Sequence, residues 1–288
     1  MATIFLLELL LLSTLASAEC AREFLTGITD QYVAAQARGS SSDVVRLAAS
    51  NVMYTENEVS KAIEDGILAE PIKIDHSRSI HDTVNCAAFT EIIASSNPHQ
   101  YVIGTRMVFD GEEHISLMES IVTDEGDWAF NATGYQYWNS LENWDPIPED
   151  QRDTREVIQA AGDAYFERFK NESVTVPFGV PCSRLEGGAS TAPLNMTGDS
   201  CTLAGLPSTL VVTNRRYVVD ETFGVVDIYL GFPGLDRSQG EKPMPDSHMF
   251  RIESGKIRYI HTVSSCVEVG CGFNGTIPTS RARRLRHL

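Results

Sequence analysis

One order of elements is written twice along this chain, and that repetition restricts what it can fold into. Residues 154–169 place Val157, Ile158, Ala161, Tyr165, Phe166 and Phe169 at helical spacing, and residues 20–37 have the same amphipathic character. Each helix is followed by extended runs that end in a hydrophobic strand, a tight acidic or glycine turn, and another strand. The run 115–122, turning at Asp124-Glu125-Gly126-Asp127, matches the run 248–252, turning at Glu253-Ser254-Gly255-Lys256. Helix first and long strands later give an α+β fold rather than a parallel sheet. A helix lying across a curved antiparallel sheet encloses a cavity, so two tandem cone-like domains and a pair of small-molecule pockets are expected.

The ends and boundaries follow from composition. Residues 1–18 read as a signal peptide: the apolar run 4–12 ends in Ala16-Ser17-Ala18, a small-residue cleavage pattern, so cleavage is expected after Ala18, sending the chain into the secretory pathway or out of the cell. No later run reaches the ~20 apolar residues that a membrane span needs. Pro146 and Pro148 among acidic residues break regular structure over 143–150. The expected domains are therefore 19–148 and 149–269, followed by a basic tail, 270–288, read as a solvated end. In the second half, 209–220, 224–232, 247–253 and 256–264 read as strands. The stretches 187–207 and 231–245 read as excursions, the first a pocket rim and the second a lid.

Six cysteines in an oxidising compartment point to disulfides. Six cysteines allow about 15 pairings, which the sequence does not resolve; the pairing favoured among them is Cys20 with Cys86, tying the first helix to its sheet, then Cys182 with Cys201, and Cys266 with Cys271. Without a CxxC motif or a nearby His spacing, a metal site is not expected. N-glycosylation sequons stand at Asn131, Asn171, Asn195 and Asn274. The net charge of −16 repels the phosphates of nucleic acid and of anionic membranes.

No GxSxG, HExxH, P-loop or dinucleotide motif is present. What remains is polar side chains on apolar strands. Alternation puts His248 and Phe250 on one face, with Tyr259 and His261 sharing a face across the turn. If those faces coincide, two imidazoles and a phenol enter one apolar pocket, where Asp246 either orients an imidazole or caps a turn. In Asn214-Arg215-Arg216-Tyr217, only one arginine faces a cavity: an inward Arg216 holds an oxyanion, and otherwise it pairs with Asp220, Glu221 or Asp227. Tyr217 shares a face with Arg215, so it and Arg216 are alternatives as pocket residues. In the first half, His76, His81 and Tyr54 are the ligand-contacting candidates, with Glu56 beside Tyr54. Glu91, His114 and Glu119 read as surface or sheet-edge charges.

The run from Asp246 through Ile257 resembles the ketosteroid-isomerase and SnoaL-like cone superfamily. Over 20–266 the chain resembles a family of secreted fungal proteins built on that theme. The residues carrying this are Tyr54-Thr55-Glu56-Asn57, Asp75-His76 with His81-Asp82, the run from Thr213 to Glu221, and Pro245-Asp246-Ser247-His248. That family includes the hetero-Diels–Alderases of tropolonic sesquiterpenoid pathways. The resemblance implies a cofactor-free enzyme of secondary metabolism acting on hydrophobic small molecules. It would dehydrate a hydroxymethyl-tropolone to a quinone methide and direct its cycloaddition with an alkene such as humulene. The resemblance carries over no catalytic residues; read from the strand faces, the catalytic candidates for such chemistry are His248, His261, Asp246 and Arg216, and the candidate substrate contacts are Tyr54, His76, His81, Tyr217, Phe250 and Tyr259. Another isomerase or dehydratase of this superfamily, or a non-catalytic secreted carrier of an apolar molecule, is the alternative. A homodimer stays open.

Overall fold

The computed structural model describes residues 20–192, 198, 200–233, 243–267 and 271. In the first half, helices α1 (Arg22–Arg38) and α2 (Ser41–Val45) precede strands β1 (Ala48–Glu56), β2 (Val59–Ser60), β3 (His76–Asp82), β4 (Ala87–Ala94), β5 (Tyr101–Phe109) and β6 (Ile115–Thr123). These form one six-stranded sheet in the order β2-β1-β6-β5-β4-β3. Helix α3 (Ala132–Asn139) leads into the second half. There α4 (Arg155–Lys170) precedes β7 (Phe178–Glu186), β8 (Ala189–Ser190), β9 (Thr213–Asp220), β10 (Val225–Phe232), β11 (Met244–Glu253) and β12 (Lys256–Ser264). The second sheet repeats the order of the first, β8-β7-β12-β11-β10-β9. The protein is thus an α+β fold of two tandem helix-on-curved-sheet cones.

Two details depart from the sequence reading. Each sheet contains one parallel pair, β1 with β6 and β7 with β12, because the meander returns its last strand to the side of the first. The repeat is also offset by one strand from the match expected. The hairpin β5–β6 corresponds to β11–β12. The turn at 124–127 has the chemistry of a hairpin turn but opens α3, whose N-cap Asn131 accepts a hydrogen bond from the Gly134 amide.

Helix α4 follows from its apolar stripe and its charge order. Glu156 sits in its first turn, with Arg168 and Lys170 in its last, as the helix dipole favours. The stripe Ile158, Ala161, Tyr165, Phe166 and Phe169 is buried on the second sheet. Gly162 lets the helix approach closely, since a methyl group there would meet Ile228 at 2.8 Å.

Strands β4 and β10 are buried along their whole length, so neither shows the alternation of a half-exposed strand. One face of each fills its own cone, as Ala88 and Ile92 do in the first and Ile228 and Leu230 in the second. The other face packs the two halves together, in a third core that joins Ile80, Phe89, Ile93 and Ile121 to Val218, Val225, Tyr229, Met249 and Val263.

A reciprocal pair of ion pairs closes that junction. Arg22, the first residue of α1, reaches Asp220, the last of β9, at 2.6 and 2.9 Å. Arg155, the first residue of α4, reaches Asp82, the last of β3, at 2.5 and 2.8 Å. Each carboxylate also crosses to the other half's backbone: Asp220 accepts the His81 amide at 2.8 Å, and Asp82 accepts the Val219 amide at 3.1 Å. Both aspartates are fully buried.

The disulfides are Cys20–Cys86, Cys182–Cys201 and Cys266–Cys271, as expected. Sequon residues Asn131 and Asn171 are exposed. Residues 1–18, expected to be a signal peptide, Asn195, Asn274 and nearly all of the basic tail lie outside the described residues, as does most of the 231–245 excursion. No helix among the described residues is long and apolar enough to cross a membrane.

Breaking either clasp leaves an arginine facing a buried, weakened partner. Asp82→Asn and Asp220→Asn are each expected to lower unfolding free energy by about 3 kcal/mol, read from urea midpoints. Midpoints unchanged in both variants would show that the clasp does not hold the halves together.

Candidate functional site

The second cone holds an open cavity of about 510 Å³, measured out to solvent at its mouth. Register across three strands builds its polar floor. His248 on β11 pairs with Thr262 on β12, and Thr262 pairs in turn with Glu186 on β7. One step along, Asp246 pairs with Ser264, and on the other side Ile260 pairs with Arg184. Alternation keeps all of these side chains on the face that α4 covers. The walls are aromatic and aliphatic: Tyr165 and Phe169 from α4, Phe232 and Met244 from β10 and β11, Leu206 from the excursion after β8, and Trp128.

His248 is held from every side. Its Nδ1 lies 2.5 Å from Asp246 Oδ1, and the other carboxylate oxygen accepts the Ser264 hydroxyl at 2.7 Å. Phe250 and Phe232 stack on the imidazole, while Phe166 meets it edge-on with ring centroids 5.0 Å apart. His248 is 3% exposed. Its orientation and its Nδ1 contact are therefore set by a carboxylate that is itself set by a hydroxyl.

Opposite stands a second polar pair. Arg184 donates to Glu186 at 2.8 Å and hydrogen-bonds the Tyr165 hydroxyl. Burial works against the Arg184 cation, but Tyr165 and Glu186 outweigh it and hold the guanidinium more firmly charged than usual. Burial pushes the Tyr165 phenol well above its ordinary range, so it stays protonated. Arg184 Nε and the Thr262 hydroxyl are buried and without hydrogen-bond partners.

Trp128 belongs to the first half yet lines the second cone's cavity. Gly187 and Gly188, both at positive φ, admit the segment that carries it. A methyl group on Gly187 would meet the Trp128 carbonyl, and one on Gly188 the Asn131 carbonyl, at 2.2 and 2.0 Å. The Asn131 amide donates to the Gly187 carbonyl at 2.8 Å.

Of the residues expected to act together, the structure brings only His248 and Asp246 into this cavity, with Phe250 behind the imidazole. His261 faces the other way. A register shift between Arg251 and Ile252 changes the phase of β12, so that His261 pairs with Met249 and Thr262 takes the place beside His248. His261 instead bridges the halves, 2.9 Å from Glu91 and 2.5 Å from Glu142. Tyr259 shares that face, packs on Trp144 and accepts the Asn143 amide at 3.4 Å. Arg216 also points away from the cavity, 2.9 Å from Glu119 and 3.5 Å from Glu58, with its guanidinium over the Tyr229 ring. Its partners are thus across the junction, not Asp220, Glu221 or Asp227. Tyr217 and Arg215 do share a face, and both bond Asp163 on α4 at 2.9 Å.

The first cone is built from the same places but is filled. Tyr54 and Glu56 stand at the positions in β1 that Arg184 and Glu186 hold in β7. Glu56 accepts the Tyr54 hydroxyl at 2.5 Å, the Lys61 ammonium at 2.7 Å, and the Ile67 amide. The segment after β2 carries Ile63, Ile67 and Leu68 into that cone's core. His81 contacts the Thr29 hydroxyl at 3.0 Å, and His76 is partly buried on β3, where burial lowers its pKa. Glu91 and Glu119 are not surface charges: both are buried, Glu91 under Arg78, Tyr135 and His261, and Glu119 under Arg106 and Arg216. His114 is partly exposed, as read.

Arg184, Glu186 and Thr262 went unread in the sequence. The signal was there in the repeat, since a polar residue, one intervening residue and Glu end both β1 and β7. Among the described residues, no cluster of three or more His, Cys, Asp or Glu side chains is placed to hold a metal ion.

With this geometry in hand, comparisons add the following. A family model described as a domain of unknown function (DUF8021) matches residues 151–264, less than half the chain and the part that holds the cavity. Among curated proteins nothing matches. One similar solved structure is an NTF-2-like protein of unknown function from Burkholderia xenovorans LB400, at 15% identity and TM-score 0.29, covering 40% of this chain and 92% of its own. Another is a putative ketosteroid isomerase from Parabacteroides distasonis ATCC 8503, at 12% identity and TM-score 0.25, covering 37% of this chain and 96% of its own.

The junction makes stability depend on pH. Burial opposes charge on His261, yet Glu142 and Glu91 raise its pKa to about 9. Burial likewise opposes charge on Glu91, but His261 and Arg78 lower it to about 2. A raised histidine contributes stability below its unfolded value of about 6.5 and loses it as pH climbs through the folded value. Chemical denaturation should therefore give a midpoint that declines between about pH 6.5 and 9, and His261→Asn should flatten that decline. A wild-type midpoint constant over the interval would refute a charged His261 at the junction.

Proposed function

We propose that the second cone is the active pocket of an enzyme that performs acid–base chemistry on a small hydrophobic molecule, without a cofactor. The observation that carries this reading is the His248–Asp246 pair set into an aromatic-walled cavity. A carrier needs only apolar walls, whereas this cavity has a carboxylate-oriented imidazole and a buried guanidinium on one floor. With Nδ1 engaged by Asp246, Nε2 is the nitrogen left for chemistry, and Asp246 steadies the imidazolium that forms when Nε2 takes a proton.

The finer reading follows the resemblance to tropolonic hetero-Diels–Alderases. His248 would take the proton of the ring hydroxyl of a hydroxymethyl-tropolone and return a proton to the departing hydroxyl. The C–O bond breaks, one water leaves, and a quinone methide remains. Its oxygen-containing diene and an alkene such as humulene then form one C–C and one C–O bond, with no further reactant. Tyr165, Phe169, Phe232 and Trp128 supply the apolar surface that would hold the two partners together, so that association entropy is met on binding. Secretion, glycosylation and a fungal source belong to the same proposal.

The purified protein would be incubated with a hydroxymethyl-tropolone and humulene, and adducts separated by chiral chromatography. A single enantiomer formed above the spontaneous rate is expected, with His248→Ala about 10²–10⁴-fold slower and Asp246→Asn also impaired. Racemic adduct at the background rate removes the cycloaddition, and tight binding without turnover makes the protein a carrier.

A further inference from the structure

We infer that Arg184 Nε and the Thr262 hydroxyl form a two-donor subsite for one acceptor oxygen of the ligand, so that the pocket selects apolar molecules bearing a carbonyl or enolate-type oxygen. This deepens the reading of the second cone as the active pocket and rests on it.

The observation is a pair of unmet obligations in one place. Buried donors without partners are rare in folded proteins, and each costs free energy unless something pairs with it. Thr262 is 1% exposed and Arg184 is 9% exposed; both line the cavity, and neither the Thr262 hydroxyl nor Arg184 Nε has a partner. They are close by construction: Thr262 pairs with Glu186 across β12 and β7, and Arg184 is two residues from Glu186 on the same face. On its other side Thr262 pairs with His248. An oxygen held here therefore lies beside the imidazole that the proposed chemistry requires.

The chemistry of the donors narrows the ligand. Nε of a guanidinium only donates, and the unpaired Thr262 hydroxyl can turn its hydrogen toward a ligand oxygen. The subsite therefore suits an acceptor oxygen. Glu186 already neutralises the guanidinium charge through the 2.8 Å contact. A neutral carbonyl, or the oxygen that gains charge as an enolate forms, suits the subsite better than a full carboxylate or phosphate. Hydrocarbons of the same shape would leave both donors unpaired, and sites built in this way discriminate strongly against them.

The test uses two probes of similar shape, tropolone and cycloheptatriene, with binding to the intact protein measured by calorimetry. Wild type is expected to bind tropolone well above cycloheptatriene. Thr262→Val should weaken tropolone binding by about tenfold, leave cycloheptatriene binding unchanged, and hold or raise the thermal midpoint of the free protein, because it replaces an unpaired hydroxyl with a methyl group. Thr262→Ser should restore tropolone binding. Arg184→Lys, which keeps a charge for Glu186 but has no guanidinium fork, should also weaken tropolone selectively. Equal binding of both probes, no binding of tropolone, or a Thr262→Val protein that loses stability while keeping its selectivity would overturn the subsite. Selective binding with no turnover by wild type would sink the enzymatic reading while leaving the subsite standing.

Discussion

The junction of the two cones rests on a reciprocal exchange of buried charge. Arg22 and Arg155 begin equivalent helices, and each finds the terminal aspartate of the other half's outermost long strand. Asp82 and Asp220 each accept a backbone amide from the opposite half as well as one from their own, so part of what satisfies either carboxylate comes from across the junction. A buried carboxylate deprived of its cation is far costlier than one never buried, so the halves are stable chiefly as a pair. The apolar sheet faces between them supply the area, and the clasps fix their register.

That pairing reaches the cavity. Trp128 crosses from the first half to wall the second cone, and it can do so only because Gly187 and Gly188 leave no side chains in its way. The same junction absorbs the charged residues that an isolated cone would expose. Glu91, Glu119, Arg78, Arg216 and His261 all pair across or beside it. The cones have consequently diverged in use. In the first, Glu56 is occupied by Tyr54, Lys61 and the backbone at Ile67; in the second, the residues at the matching places open onto space.

Much of this was legible beforehand, for identifiable reasons. The helix stripe of α4 and the strands β10 to β12 follow from local periodicity, which depends only on neighbours in the chain. The favoured disulfide pairing agrees with the structure, though cysteine count and spacing alone do not single it out. His248 and Asp246 were readable as a pair because two residues on one strand must share a face. The failures are equally physical. His261 was assigned to the wrong face because a one-residue shift between Arg251 and Ile252 inverts every side chain beyond it, and a bulge of that kind leaves no mark in the sequence. Arg216 and Glu91 were misread because their partners lie in the other half, more than a hundred residues away in the case of Glu91 and His261.

The sequence by itself determined the α+β class, the doubled element order and the imidazole–carboxylate couple, since each depends on local spacing along the chain, whereas it left the choice among the cysteine pairings to the structure. Tertiary structure alone decided which cone is hollow, which arginine enters it, and that Trp128 closes it from the other domain. Those outcomes depend on how two sheets dock and where a strand slips by one residue, and such contacts between distant segments are set by packing free energy rather than by any pattern along the chain.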